Sequence, residues 1–332
     1  MEDLVYLGDL SNALSHSHVK LNLTFLNELL KKASNSDLPH RNELFAKKIS
    51  CPINKNKKSA TTIYGWMKGD RTVPFAKLVK LVDLSDYTWN KIEGNLIYIK
   101  AGIRNGEINP NFPIKIDHKL GSIIGHILGD GSIDKRFHSV FYSNSNQELL
   151  KEFSGYMEDI FGIKPRIWVQ DVPNYGHTKW LKRVITFKDI PKGHNVGLFY
   201  PKICADILYE LCGKFAEGGN KIITEKIKTL NMNFKISLVR AFFDDEGSVN
   251  SKNYTVRFHQ DRKEILEEVI KMLKDCGISS NPIRAYTKGD KLRYYFNITS
   301  FNEYSKFYNF IGCTSSKKKR EFILLIDKVK KK

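Results

Sequence analysis

Asp130 and Glu246 stand out by where they fall in the chain. Each closes an apolar run: Gly121-Ser-Ile-Ile-Gly-His-Ile-Leu-Gly-Asp130-Gly131-Ser132 and Ser237-Leu-Val-Arg-Ala-Phe-Phe-Asp-Asp-Glu246-Gly247-Ser248. The apolar spacing of both runs is that of helices. A carboxylate at a helix C-terminus faces the negative end of the macrodipole, where a cation is normally favoured. Two breaches of one local rule, made in the same way, point to a site. Side by side, two such helices would bring the acids together, and close carboxylates favour a divalent cation between them.

The elements that must position these acids can be read from the small residues. Gly125 and Gly129 are four apart and share one helix face, with Ser122 close to it, and Ser237 and Ala241 do the same in the second run. A glycine inside a helix costs about 1 kcal/mol against alanine, so two in one short helix need a reason, and close approach of a second backbone supplies it. Asp117 and Asn233 are expected as N-caps of these helices, and Gly131 and Gly247 as left-handed C′ residues that start the next strand.

From residue 117 the chain falls into two similar halves, 117–216 and 217–332, each of the order αββαββα. In the first, strands are expected over 132–136, 137–143, 165–170 and 179–187, with helices over 147–161 and 203–212. In the second, strands are expected over 254–259, 282–286 and 292–299, the last two forming a hairpin, with helices over 263–276, 302–310 and 318–329. The fold class is α+β: a pseudo-twofold duplication with antiparallel sheets, preceded by a small all-α domain over 1–104. Residues 105–116, rich in turn formers and holding Pro110 and Pro113, read as the linker.

The N-terminal region carries a basic loop, Asn54-Lys55-Asn56-Lys57-Lys58, followed by Ser59-Ala-Thr-Thr-Ile-Tyr-Gly-Trp66. Helix, turn and a second helix capped by Ser59 read as a helix-turn-helix unit. Thr61, Thr62, Tyr64, Lys68 and Arg71 would then offer groove contacts. The alternative is a three-helix bundle with a solvated basic face.

The formal charge is +18, from 54 Lys and Arg against 36 Asp and Glu, which favours a polyanionic partner, nucleic acid before an anionic membrane. No apolar stretch approaches the roughly 20 residues of a membrane span, and Met1-Glu-Asp-Leu4 does not open a signal peptide. The five cysteines form no CxxC and read as core fillers in a reducing interior, so a cytoplasmic, nucleoid-associated protein is expected.

The two runs, with the repeat that contains them, resemble the two motifs of single-chain LAGLIDADG homing endonucleases over about 115–332. The resemblance implies two saddle-shaped sheets over the DNA major groove and Mg²⁺ held by the last acid of each motif. Carried over by position, those acids are Asp130 and Glu246, with the main-chain carbonyls of Gly129 and Asp245 as further ligands. Lys221 and Lys317 match the family's lysines near the scissile phosphates. The chain departs from the pattern at Ala241, where glycine is usual, and at Asp245, where a small residue is usual. The latter gives Asp244-Asp245-Glu246, so which side chain ligates is more open in the second motif.

On the strands, Arg257 and His259 alternate away from Val256 and Phe258. Arg166 with Trp168 and Gln170, and Arg284 with Tyr286, alternate too. With Arg136, Lys182 and Arg293 these are the candidate DNA contacts, joined by Thr62 and Lys68 in the N-terminal region. The resulting expectation is a freestanding, monomeric, Mg²⁺-dependent endonuclease acting on double-stranded DNA. A DNA-binding transcription regulator and an RNA-binding intron maturase on the same fold are the alternatives.

Overall fold

The computed structural model describes residues 3–54, 56, 59–101, 106–136, 139–170, 180–184, 186–190 and 194–330, with backbone alone at 180–182. The motif helices are His118–Leu128 and Met232–Glu246, and they pack against each other along their length. Asp117 caps the first, accepting from the backbone N–H of Lys119 and Leu120. The second is capped by Asn231, two residues earlier than Asn233, because the apolar pattern already begins at Met232 and the Asn231 side chain reaches the N–H of Phe234.

Glycine placement explains how close the helices come. A Cβ on Gly121 would lie 2.2 Å from the carbonyl oxygen of Phe234. One on Gly125 would lie 2.3 Å from that of Leu238 and 2.8 Å from the Ala241 Cβ. One on Gly129 would lie 2.6 Å from the Asp245 Cβ, so the ends of the two motifs touch. Neither Gly131 nor Gly247 is left-handed; both begin strands. They too answer to space, since a Cβ would meet Ile127 Cα at 2.6 Å and the Phe243 ring at 2.1 Å, respectively.

Each motif helix runs into a sheet. In the first half the strand order is Trp180–Val184, Arg166–Gln170, Val196–Tyr200, Val140–Asn144, Gly131–Ile133, Ala216–Glu217 and Asn220–Lys221. In the second it is Gly247–Asn250, Thr255–Gln260, Lys291–Ile298 and Arg284–Lys288. The registers match: Gly131 pairs with Tyr142, and Gly247 with Phe258. Helices Gln147–Phe161 and Lys263–Asp275 bury an apolar face (Leu150, Phe153 and Met157; Leu266, Val269 and Leu273). The strand Val196–Tyr200 was not expected, being a short apolar run without alternation. Residues 217–221 complete the first sheet, so that half extends past residue 216.

The first hundred residues are not all helical. Helices Leu23–Ser34, Glu43–Lys48, Thr61–Met67, Phe75–Ser85 and Trp89–Glu93 accompany a four-stranded sheet of order Val73–Pro74, His18–Leu21, Leu96–Lys100 and Glu107–Ile108. Its strands are short alternating segments that read as connections between helices. The expected linker is partly strand: Glu107–Ile108 joins this sheet, and Ile114–Lys115 pairs with Leu4–Val5. The expected helix-turn-helix is not compact either. Residues 49–60 separate the two helices, far more than a three- to four-residue turn, and Ala60 rather than Ser59 occupies the N-cap. Expectations that fall on residues 55, 57–58, 105, 137–138, 171–179 and 185 lie outside the described residues.

Replacing Gly125 by alanine forces a methyl group into the Leu238 carbonyl. Urea unfolding should show a loss of about 1–3 kcal/mol, the usual effect of overpacking, whereas unchanged stability would mean that the helices stand further apart.

Candidate active site at the helix crossing

The crossing delivers four acids to one end of the motif helices, in unequal settings. Asp244 is buried and accepts from the N–H groups of Thr314 (2.6 Å) and Ser315 (3.1 Å), fixing the loop before the last helix. The Asp245 side chain is fully buried. Its Oδ1 accepts from Tyr142 Oη (2.8 Å) and Asn144 Nδ2 (3.1 Å), and its Oδ2 from His126 Nδ1 (3.0 Å) and the Asp130 N–H (3.4 Å). Asp130 and Glu246 are less enclosed. Asn144 Nδ2 donates to Asp130 Oδ2 at 2.9 Å, and Gln260 Nε2 donates to Glu246 Oε1 at 3.3 Å. Asn144 and Gln260 occupy equivalent registers, two residues beyond Tyr142 and Phe258.

Electrostatics sets Asp130 and Glu246 apart. Desolvation, then the charges of Asp245 and Glu246, push the Asp130 carboxyl up to about 7 against the pull of Lys221. Glu246 is raised by burial and by Asp245 and Asp261, and lowered by Lys221 and Arg293. Lys221 donates to the Gly129 carbonyl, and burial lowers its pKa while Glu246, Asp130 and Asp245 hold it charged. The Lys221 ammonium already rests on the Gly129 carbonyl, one of the main-chain oxygens beside these acids. The carboxylates of Asp130 and Glu246, with main-chain oxygen from Gly129 and Asp245, could hold a hard divalent cation. The Asp245 side chain, already occupied by four donors, is not a ligand.

In the second half Lys318, and not the expected Lys317, reaches the end of the motif helix. Lys317 is exposed on the first turn of the helix Ser316–Lys330. Its neighbour turns inward and donates to the carbonyls of Phe243 and Asp244, at 2.6 Å each. Consecutive helical residues point about 100° apart, so in a run of lysines the register decides which one enters.

Beneath the acids lies an ionic cluster. His126 is fully buried, with Glu152 Oε1 at 3.6 Å from Nε2. Burial would lower its pKa, but Asp245 and Glu152 carry it to about 9. Burial would raise Glu152; His126, Thr314 and Arg240 take it down to about 2. Glu152 also accepts from Ser122 Oγ (2.8 Å) and Thr314 Oγ1 (2.6 Å). Sequence reasoning missed His126, Tyr142, Asn144, Gln260, Glu152 and Lys318. Only the polar His126 in an apolar run gave a signal.

The outer face of the second sheet carries the expected cations. Cross-strand register places Arg257, His259, Arg284 and Arg293 on one face with Asn297, Tyr295 and Tyr286. Arg257 is held by Asn297 (2.7 Å) and lies over the Tyr295 ring, and Arg293 pairs with Asp261 (2.9 Å). In the first sheet Arg166 is exposed, whereas Gln170 is buried and its Oε1 accepts from Asn195 Nδ2. Lys182 pairs with Val169 next to a bulge, and this shift puts Arg183 opposite Trp168 instead. Arg136 sits in a turn beyond its strand. Thr62 and the exposed Lys68 flank Tyr64, with the Lys68 ammonium 5.7 Å above its ring.

Residues 117–192 and 233–312 match the LAGLIDADG-like domain family, and both motif helices fall inside those segments. The chain thus contains a LAGLIDADG-like domain, contributed by both of its halves. It is 26% identical over 253 residues to the DNA-directed RNA polymerase subunit Rpo1C of Methanocaldococcus jannaschii. That match covers 76% of this chain and 26% of the relative, so the chain spans about a quarter of the relative's length. Among solved structures it is similar to the homing endonuclease I-DmoI in complex with DNA and Mn (17% identity, TM-score 0.40, 59% of this chain and 97% of that one). It is also similar to the N-terminal LAGLIDADG domain of DUF199/WhiA (14% identity, TM-score 0.36, 59% and 83%). Among the described residues no helix is long and apolar enough to cross a membrane.

The buried imidazolium has a consequence for stability. A histidine raised from 6.5 to about 9 binds more protons folded than unfolded, so its contribution is complete below pH 6.5 and is lost as pH rises through 9. Urea midpoints should therefore fall between pH 6.5 and 9 in the wild type and fall less in His126→Gln. Parallel curves for the two proteins would contradict a charged His126.

Proposed function

We propose that this chain is a site-specific endonuclease that hydrolyses phosphodiester bonds in both strands of duplex DNA, using Mg²⁺. The observation that carries this reading is the pairing of Asp130 and Glu246 at the ends of two crossing helices, each held by a carboxamide from its own half and facing Lys221. When bound, the cation would polarise the phosphodiester and activate water. The protein's own groups do the rest. Asp130 and Glu246, with the Gly129 and Asp245 carbonyls, hold the cations, and Asn144 and Gln260 fix the orientation of the two carboxylates. Lys221 and Lys318 are placed to offset charge that builds on the reacting phosphates. Arg166, Arg183, Arg257, Arg284 and Arg293 would grip phosphates and read base edges in the major groove, so the sheets supply affinity and the crossing supplies chemistry. The N-terminal region, with half-buried Thr62 and exposed Lys68 and Arg71 beside Tyr64, would extend the footprint on DNA. The presence of both acids favours the nuclease over a regulator or a maturase on this fold.

Asp130→Asn and Glu246→Gln should each slow cutting of a target selected from a randomised DNA pool by at least about 100-fold, since even outer-shell partners of a metal site are worth about 10–100-fold. EDTA should abolish cutting. DNA affinity, carried by phosphate contacts, should stay within a few-fold by gel shift. Cutting that survives either substitution, or tight binding with no Mg²⁺-dependent cutting by the wild type, would overturn the assignment.

A further inference from the structure

The two halves of the site are supported differently. Tyr142 and Phe258 share one register, as do Asn144 and Gln260. By the same alignment Gly129-Asp130-Gly131 corresponds to Asp245-Glu246-Gly247. The residue before the first acid thus has no side chain, while the residue before the second has a carboxylate. That carboxylate does not serve its own half. It crosses to the first, filling the space where a Gly129 Cβ would come within 2.7 Å of its Oδ2. There it accepts from the Asp130 N–H, Tyr142 Oη and Asn144 Nδ2. Asn144 is thereby fixed: its Oδ1 accepts from the Asn146 N–H (2.9 Å), and its amide is shared between Asp245 and Asp130. Among the described residues no side chain of the opposite half hydrogen-bonds the Glu246 carboxylate, which Lys221 of the first sheet faces as a charge only; its carboxamide partner is Gln260 of its own half. A buried carboxylate must be paired, and His126, 3.0 Å away inside the other motif helix, is its counter-ion. The two departures from an apolar, small-residue crossing therefore make one device.

We propose that Asp245, with His126 as its counter-ion, is a positioning residue for the Asp130 half of the site alone, so that its loss biases cutting toward the strand served by Glu246. This rests on the endonuclease reading. The chain would be built with one acid's supporting carboxamide fixed by the opposite half of the protein and the other's held within its own half.

The test follows both strands of an end-labelled target under single-turnover conditions in Asp245→Asn, with Asn144→Ala and Gln260→Ala as references. Asp245→Asn should shift the ratio of the two strand rates about 10–100-fold, the usual worth of a supporting partner, and in the same sense as Asn144→Ala. Gln260→Ala should shift it the opposite way. Tyr142→Phe, which removes one donor and opens no large cavity, should shift it in the same sense by less and serves if Asp245→Asn does not fold. A readout independent of cutting is the Asn144 side-chain amide in the metal-free protein, followed by ¹⁵N NMR. Its resonances should move and its exchange with water should quicken in Asp245→Asn and Tyr142→Phe. Equal slowing of both strands, or an unmoved Asn144 amide, would overturn the proposal. A wild type that cuts neither strand would defeat the endonuclease reading, and the amide measurement would still decide whether Asp245 positions the Asp130 half.

Discussion

The approach of two helix backbones at Gly121 and Gly125 governs everything else in this protein. Side chains at these positions would collide with the carbonyls of Phe234 and Leu238, so the crossing exists only because the first helix presents bare backbone there. Interior glycines weaken a helix in isolation, and here that weakness is offset by burial of Ile123, Ile124, Ile127, Leu238 and Phe242 around the contact. Because the crossing is tight, the helices end together, and the acids following each apolar run meet without any loop having to carry them. A site built on helix ends within a rigid core holds its geometry better than one carried on loops.

Crowding acids at such a place creates an electrostatic problem that the fold answers in layers. The deepest acids are satisfied by fixed donors: Asp244 by the backbone of Thr314 and Ser315, and Asp245 by His126, Tyr142 and Asn144. Glu152 balances His126 from behind and is itself tied to Thr314 and Arg240. Asp130 and Glu246 are left with one carboxamide each and a nearby lysine, so they carry the unmet demand for a cation. The contrast between satisfied and unsatisfied acids, more than their number, separates structural carboxylates from candidate ligands.

Much of this was legible in the sequence. The glycine spacing gave the helix contact, the acid-Gly-Ser endings gave the two acids that come together at the crossing, and strand alternation set Arg257 and His259 apart from Val256 and Phe258. The rest depended on geometry that composition cannot encode. Lys317 and Lys318 are chemically identical neighbours, and helix register alone sends the second inward. A bulge between Trp180 and Lys182, which no local pattern announces, sets the register that puts Arg183 opposite Trp168. Asn144 and Gln260 look like ordinary strand-end polar residues until the sheets bring them to the acids. The N-terminal sheet escaped notice because strands as short as His18–Leu21 leave too little alternation to outweigh the helices around them.

The account stands on Asp130 and Glu246 forming one cation-binding centre. Anomalous scattering from crystals of the wild type grown with Mn²⁺ and duplex DNA addresses this directly. Manganese peaks within coordination distance of both carboxylates, with the Asp245 side chain still bound to His126, are the expected result. Manganese bound elsewhere, or an empty crossing in crystals that hold DNA against the sheets, would contradict it.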